Sequence, residues 1–213
     1  MITDERTVSY IHSLEKPNLP YLAEMEKFAH ENNVPIIRKE MESFLRVMLI
    51  MKQPMKVLEL GTAIGYSAIL MSEYIPGKGK IDTIENYKKR IDIATENIVK
   101  SGKSDVINLI EGDALEILEN LNEKYDFVFM DAAKAQYINY LPHVLRLMNK
   151  GAILIADNIL QDGDLIESRY IVERRDRTIH SRMREFIYMV KNCPELETSI
   201  IPIGDGITLS IKK

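Results

Sequence analysis

The chain has 213 residues, with 28 basic and 32 acidic side chains and a net charge of −4. That length suits one α/β domain with a short extra segment. We therefore predict a single domain over 1–213, with an N-terminal helical segment at 1–52 and a core at 53–213. The acidic balance disfavours a broad nucleic-acid-binding surface but leaves a local basic patch open.

The sequence also limits where the protein works. Cys193 is the single cysteine, which excludes an intrachain disulfide and fits a cytoplasmic location. The first residues, MITDERTVSY, carry acids and lack the apolar core of a signal peptide. No run approaches the roughly 18 apolar residues that span a bilayer, so we expect no membrane partner.

The first fifty residues have helical patterns. Pro20 suits the first turn of a helix that Asn18 would cap. A second, amphipathic helix is predicted over 38–51, where apolar residues recur at helical spacing: Met41, Phe44, Leu45, Met48 and Leu49. We interpret this methionine-rich face as core or subunit packing.

From residue 56 onwards, strand and helix patterns alternate. Strands are predicted at 56–61, 80–85, 106–113, 125–131 and 151–158, with helices at 66–75, 87–101 and 135–149 and a short helix after 113. These strands are mostly continuous apolar runs, which is typical of a parallel sheet covered by helices on both faces. The last segment, 196–213, instead predicts two antiparallel strands around the turn Gly204-Asp205-Gly206.

Each strand that enters this parallel sheet carries an acid at or beside its carboxyl end. The five acids are Glu59, Glu85, Asp113, Asp131 and Asp157. Ligands of open parallel sheets bind beyond the carboxyl ends of the strands. The repetition therefore indicates a binding site at this edge.

The stretch VLELGTAIGYSA, residues 57–68, predicts a glycine-rich turn between a strand and a helix. Gly61 and Gly65 would let the backbone approach a ligand beside free helix N–H groups. The turn is neither G-x-G-x-x-G nor a phosphate loop, since Tyr66 and Ser67 follow Gly65. The turn therefore lacks the sequence features that most strongly indicate pyrophosphate binding.

An acid at the end of the next strand points to a ribose. Glu85 lies 24 residues beyond Gly61, and its carboxylate can accept both ribose hydroxyls. Together with the glycine turn, this favours S-adenosylmethionine over NAD. The segment 111–114 would then line the adenine, with Asp113 near the exocyclic amine and Ala114 beside it.

A second group combines Asp131 with Asp157 and Asn158 at the next two strand ends. Carboxylate and amide oxygens suit Mg²⁺, and no Cys/His cluster in the sequence competes for zinc. The alternative is that Asp157 and Asn158 only cap the following turn.

The chain resembles the cation-dependent class I O-methyltransferases, the group of catechol and caffeoyl-CoA O-methyltransferases and their bacterial relatives. The matching segments are VLELGTAIGYSA, IDTIE, EGDA, YDFVFMDAAKAQY, GAILIADNIL and IPIGDGITLSIKK. The resemblance implies a Rossmann-like, seven-stranded, mostly parallel sheet with an antiparallel C-terminal hairpin, in a homodimer.

The resemblance also implies site residues. The cofactor S-adenosylmethionine would contact a set from several segments: Ile37, Glu59, Gly61, Gly65, Tyr66, Ser67, Glu85, Asp113, Ala114 and Asp131. The segment around Ile36 and Ile37 would close over its methionine end. Mg²⁺ or another divalent cation would bind Asp131, Asp157 and Asn158.

Lys134 matches the lysine that family members place beside the reacting hydroxyl, where it would accept the proton or stabilise the oxyanion. Lys134 and Asp131 are the candidate catalytic residues. A solvated surface lysine is the alternative for Lys134.

Residues 169–184, RYIVERRDRTIHSRMR, hold six arginines and no lysine. Arginine suits phosphates and base stacking, and the stretch resembles the corresponding segment of bacterial family members that methylate 5-hydroxyuridine in tRNA. We therefore expect tRNA as substrate and partner, with an RNA-binding rim at Arg174, Arg175, Arg177 and Arg182. The alternatives are a small catechol-like or CoA-linked phenol as substrate, with this stretch as a solvated helix.

Two other classes of function stay open at this point. An NAD-dependent oxidoreductase is disfavoured because G-x-G-x-x-G is missing. A non-catalytic RNA-binding module on the same scaffold predicts a lost glycine turn or lost metal ligands, whereas this sequence has both.

Overall fold

The computed structural model describes residues 4–168 and 170–213. In chain order the elements are α1 Glu5–Ser13, α2 Pro20–Glu31, α3 Lys39–Lys52, β1 Lys56–Leu60, α4 Tyr66–Ser72, β2 Lys80–Glu85, α5 Lys88–Lys100, β3 Ile107–Glu111, α6 Ala114–Asn120, β4 Tyr125–Met130, α7 Tyr137–Leu147, β5 Met148–Ala156, α8 Arg177–Asn192, β6 Leu196–Ile201 and β7 Ile207–Lys212, with 3₁₀ turns at Lys134–Gln136 and Gln161–Ile166. Across these described ranges, no helix is both long enough and apolar enough to cross a membrane.

All seven strands form one sheet in the order β3-β2-β1-β4-β5-β7-β6. Strands β1 to β5 pair in parallel, while β7 runs antiparallel to both β5 and β6. The predicted fold class, with its C-terminal hairpin, is therefore confirmed. Because β1 and β4 are central neighbours whose connections leave on opposite sides, their carboxyl ends form the crevice where such sheets bind ligands.

Helices cover the sheet on both faces, because side chains alternate along each strand. On one face, Val57 and Phe127 lie in a buried cluster with apolar side chains of α2, α3, α4 and α5. On the other face, Leu58 and Val128 join a second cluster with α6, α7 and α8. The central strands are thus buried on both sides, which explains their continuous apolar sequences.

The predicted helix over 135–149 extends too far. Helix α7 ends at Leu147, and β5 already begins at Met148, three residues before the predicted start. Gly151 has a φ of +74°, and the β4–β5 register shifts between Tyr125 and Phe127. This irregularity lets the strand include Gly151, where the sequence pattern predicted the end of a helix and the start of a strand.

Asn18 does not cap α2. The cap position belongs to Leu19, which makes no side-chain cap bond, and Pro20 is the first helical residue. The amide of Asn18 instead donates to Glu42 Oε2 at 3.0 Å and to the Tyr66 hydroxyl at 2.8 Å. The N-terminal segment is thereby tied to α3 and to the start of α4.

Candidate active site

A cavity of about 710 Å³ opens at the carboxyl ends of β1, β2, β4 and β5. Its walls come from six short segments, residues 35–38, 61–63, 84–87, 131–134, 157–158 and 204–205, together with single residues from neighbouring helices. The edge predicted from the strand-end acids is therefore the edge that carries the cavity.

The glycine turn forms part of the cavity floor, but its two glycines do different things. Gly61 lines the cavity with a φ of +98°, and a Cβ there would collide with the carbonyl oxygen of Asp131. Gly61 is thus needed for the close approach of β1 to the end of β4, as well as for any ligand. Gly65, with a φ of +84°, is the N-cap of α4 and packs near Ala94 without lining the cavity.

The carboxylate of Glu85 lines the cavity in a fixed orientation. Its Oε2 accepts the Ala63 N–H at 2.9 Å, and its Oε1 accepts the N–H groups of Asn86 and Tyr87, both at 3.0 Å. These bonds join the ends of β1 and β2. An acceptor held this way presents its remaining lone pairs to the cavity without reorganisation.

Glu59 lies beneath the cavity and does not line it. The side chain is fully buried, and its Oε2 accepts the Thr83 hydroxyl at 2.5 Å. Thr83 in turn shares a hydrogen bond of 2.6 Å with Thr62, which does line the cavity. Burial raises the pKa of Glu59 to about 7. The structure therefore gives Glu59 a supporting position under the glycine turn, where the sequence suggested direct contact with the cofactor.

Asp113 is likewise outside the cavity lining. Its Oδ1 caps α6 by accepting the N–H groups of Leu115 at 2.9 Å and Glu116 at 3.3 Å. Ala114 and Gly112 form the wall at this position, and Tyr140 faces it from α7. Tyr140 was missed in the sequence because it reads only as an apolar-face residue of a helix.

Asp131 and Asp157 both line the cavity from adjacent strand ends. Burial and the neighbouring charge of Asp131 raise the pKa of Asp157 to about 7. Burial also raises the pKa of Asp131, and the positive charge of Lys134 opposes that rise. Two carboxylates in this setting ionise together only if additional positive charge is nearby.

Asn158 completes this group with an amide. The backbone N–H of Asn158 donates to Asp157 Oδ1 at 2.6 Å, and the residue has a φ of +56°. Within the described ranges, no three His, Cys, Asp or Glu side chains form a metal-binding cluster, so a cation here would need the Asn158 amide oxygen. The 3₁₀ turn at Gln161–Ile166 has no side-chain cap, so neither Asp157 nor Asn158 caps that turn.

The segment before α3 forms another wall. Ile36 and Ile37 line the cavity, and the adjacent hydroxyl of Tyr66 donates to Glu42 Oε1 at 2.7 Å. Ser67 lies beside Tyr66 in the lining. The segment between α2 and α3, together with Met41 of α3, is therefore part of the cavity wall.

Three charged residues that line the cavity were not predicted from the sequence: Arg38, Arg90 and Asp205. Arg38 and Asp205 form an ion pair of 2.7 Å. Asp205 belongs to the Gly204-Asp205-Gly206 turn, which the sequence indicated only as a hairpin connection.

Within its described residues, 170–184, the arginine-rich stretch contributes no residue to the cavity lining. This holds for all four predicted rim residues, Arg174, Arg175, Arg177 and Arg182. Arg182 donates to the carbonyl of Ala135 at 2.8 Å. Arg177 donates to the carbonyls of Val172 at 3.2 Å and Tyr170 at 3.3 Å. These arginines satisfy carbonyl groups of irregular backbone, which accounts for part of the bias towards arginine.

Other members of the stretch remain on the surface. Arg174 is exposed, and Arg175, also exposed, pairs with Glu173 at 2.9 Å. Arg184 donates to the carbonyls of Leu165 and Glu167. Arg169 lies outside the described residues.

Comparison with known proteins finds O-methyltransferases by both family profile and sequence similarity. A family profile described as O-methyltransferase matches residues 11–213. The chain is 34% identical to the catechol O-methyltransferase of Niastella koreensis over 58% of each protein. It is 29% identical to caffeoyl-CoA O-methyltransferase 1 of Eucalyptus globulus, over 84% of this chain and 76% of that protein.

A solved structure has the same fold. The O-methyltransferase from Bacillus cereus, in complex with SAH, superimposes with a TM-score of 0.85 at 24% identity over 96% of each chain.

Proposed function

Because this chain belongs to the O-methyltransferase family, we propose that it transfers a methyl group from S-adenosylmethionine to one hydroxyl of an adjacent oxygen pair, with help from a divalent cation. One observation carries the proposal. Asp131 and Asp157 face the cavity floored by the glycine turn, and burial raises the pKa of both. A methyl donor and a cation-bound acceptor would meet there.

The cofactor half of the cavity suits S-adenosylmethionine. Glu85, Ala114, Tyr66, Ser67 and Ile37 all line it. Glu85 would accept the ribose hydroxyls, Ala114 would lie against the adenine, and Tyr66 and Ser67 would contact the methionine end with Ile37. The Bacillus cereus relative of the same fold was solved with the demethylated product of this cofactor. When bound, the cofactor supplies an electrophilic sulfonium methyl group.

The cation half consists of Asp131, Asp157 and Asn158, whose oxygens suit Mg²⁺. A bound divalent cation would lower the pKa of a coordinated hydroxyl and orient it. The two aspartates would be held ionised by that charge, and Lys134 already favours their ionised forms. The donor set therefore fits a divalent cation.

Lys134 is the residue that we propose to act on the acceptor. It lines the cavity at the start of the 3₁₀ turn Lys134–Gln136, close enough to Asp131 and Asp157 to affect both. Its ammonium group can stabilise the developing oxyanion, and in its neutral form the amine can accept the hydroxyl proton. Overall, the acceptor loses a proton and gains a methyl group.

We propose a small catechol-like phenol as the acceptor. Arg177 and Arg182, two of the four predicted rim arginines, are bonded to carbonyls of this chain. The relatives named above act on catechol and on caffeoyl-CoA by their names. Both compounds carry two adjacent ring oxygens, which a single cation can chelate.

A second candidate acceptor is 5-hydroxyuridine in tRNA, whose 5-hydroxyl and O4 are also adjacent. It is favoured by the surface around Tyr170, which is 84% exposed and lies in one loop with exposed Arg174 and Arg175. Aromatic and arginine side chains together stack on unpaired bases.

The acceptor is tested by incubating the protein with labelled S-adenosylmethionine and Mg²⁺, with three acceptors in parallel: catechol, caffeoyl-CoA and tRNA carrying 5-hydroxyuridine. Each reaction is repeated with Asp157→Ala. We expect Asp157-dependent label in a phenol. Label in tRNA alone, falling steeply with salt, would replace the phenol with the second candidate. Label in none of the three would contradict the proposed acceptor class.

A further inference from the structure

The Gly204-Asp205-Gly206 turn is bonded to the segment that carries Asn158. The N–H of Ile159 donates to the carbonyl of Gly206, and the N–H of Leu160 to the carbonyl of Asp205, both at 2.9 Å. Gly206 has a φ of +79°, and a Cβ there would run into the Leu160 side chain. The hairpin turn and the residues after β5 are therefore joined by backbone hydrogen bonds and by close packing.

The side chain of Asp205 continues this connection into the cavity. Its Oδ2 accepts the Nδ2–H of Asn158 at 3.1 Å, and its Oδ1 pairs with the Arg38 guanidinium at 2.7 Å. Arg38 is the N-cap residue of α3, next to the wall formed by Ile36 and Ile37. Arg38 in the N-terminal segment thus fixes the Asp205 carboxylate, and that carboxylate fixes the side-chain amide of Asn158.

We infer that Asp205 is a positioning residue that orients the Asn158 amide so that its oxygen faces the cation. This inference rests on the proposed cation site. An amide has a donor end and an acceptor end, and only the oxygen can bind a cation. With Nδ2 committed to Asp205, Oδ1 is the end left for the cation.

Two physical effects of Asp205 have to be separated. Its hydrogen bond sets the direction of the amide, and its negative charge attracts any cation nearby. Asp205→Ala removes both effects. Asp205→Asn removes the charge but keeps an oxygen that can accept the Asn158 N–H. Glu197→Ala is the matched control, because it removes an exposed acid from β6 of the same hairpin.

The experiment measures Mn²⁺ affinity by electron paramagnetic resonance, with thermal unfolding of each variant alongside. For Asp205→Ala we expect Mn²⁺ to bind about 10- to 100-fold more weakly, as for other residues that support metal ligands. Asp205→Asn should bind severalfold more tightly than Asp205→Ala, and Glu197→Ala should bind as the unaltered protein does. If Asp205→Ala does not unfold cooperatively, Asp205→Ser, which is too short to reach the amide, takes its place.

Three results would overturn the inference. Unchanged Mn²⁺ affinity in folded Asp205→Ala would remove any role for Asp205. Equal losses in Asp205→Asn and Asp205→Ala would assign the effect to charge instead of orientation. An unaltered protein that binds no Mn²⁺ would overturn the proposed cation site itself, and the inference with it.

Discussion

At the scale of single residues, the absence of a side chain at Gly61 lets the end of β1 lie against the backbone of Asp131 at the end of β4. The positive φ of Gly61 and the nearby Asp131 carbonyl leave no room for a Cβ, and the obstructing atoms are backbone. We predict that Gly61→Ala destabilises the protein by about 3 kcal/mol or more, since strain and collision add. It should also weaken S-adenosylmethionine binding.

Gly102→Ala is the matched control for this prediction. Gly102 has a φ of +69° with nothing within 4 Å of a Cβ, so the substitution should cost only the backbone strain, about 1–2 kcal/mol. Urea unfolding measures the free energy of unfolding of both variants. Equal losses of stability in Gly61→Ala and Gly102→Ala would mean that the contact between β1 and the end of β4 does not require glycine.

At the scale of elements, helix α8 supports the 3₁₀ turn that begins at Lys134. Arg182 reaches from α8 to the carbonyl of Ala135, next to Lys134. We predict that Arg182→Gln lowers kcat about 3- to 30-fold for every acceptor, because a misplaced Lys134 turn affects all reactions alike.

Exposed Arg174 provides the comparison for Arg182. Arg174→Gln should leave phenol methylation unchanged and should weaken only the use of tRNA, if tRNA is accepted at all. Steady-state kinetics of both variants with catechol and tRNA check this pair of expectations. A tRNA-specific loss in Arg182→Gln would return Arg182 to the RNA-binding rim.

At the scale of the whole molecule, buried carboxyl groups make stability depend on pH. Burial raises the pKa of Glu59 and of Asp157 to about 7, whereas such groups titrate near 4 in an unfolded chain. Between about pH 4 and pH 7 the folded state therefore binds more protons than the unfolded state. The cation-free protein should lose stability as pH rises through this window and then level off.

Asp157→Asn tests the pH argument, because it removes one of these charges and keeps an oxygen for the Asn158 N–H. In EDTA at pH 8 the variant should be more stable than the unaltered protein by about 1–3 kcal/mol, with a shallower pH dependence. Glu119→Gln, at an exposed position, should change neither the stability at pH 8 nor its pH dependence. Urea unfolding at pH 5 and pH 8 measures the free energy of unfolding of each protein. If Asp157→Asn is less stable than the unaltered protein at pH 8, burial of the Asp157 charge does not destabilise the folded state.

The sequence predicted much of this arrangement because parallel strands end at one edge. That rule predicted Gly61, Glu85, Asp131, Asp157 and Asn158 at one edge, and all five line the cavity. It also predicted Glu59 and Asp113 there, and these two do not line it. The single-domain organisation, the homodimer and the cytoplasmic location stay predictions.

The rest depends on contacts between distant segments. The Arg38–Asp205 pair joins the N-terminal segment to the last hairpin, and no local pattern indicates it. Arg182 resembled a free basic group because the carbonyl it binds belongs to an irregular turn. Glu59 occupies an interior strand position, so its carboxylate lies under the turn instead of facing the ligand.

We propose that Asp131, Asp157 and Asn158 hold a cation that selects and activates one of two adjacent oxygens. The most direct test titrates Mg²⁺ into chelator-treated protein and measures methyl transfer to catechol and to phenol, which has a single hydroxyl. We predict saturable, Mg²⁺-dependent transfer to catechol, little transfer to phenol, and no Mg²⁺ response in Asp157→Ala. Equal methylation of both acceptors without Mg²⁺ would contradict the account.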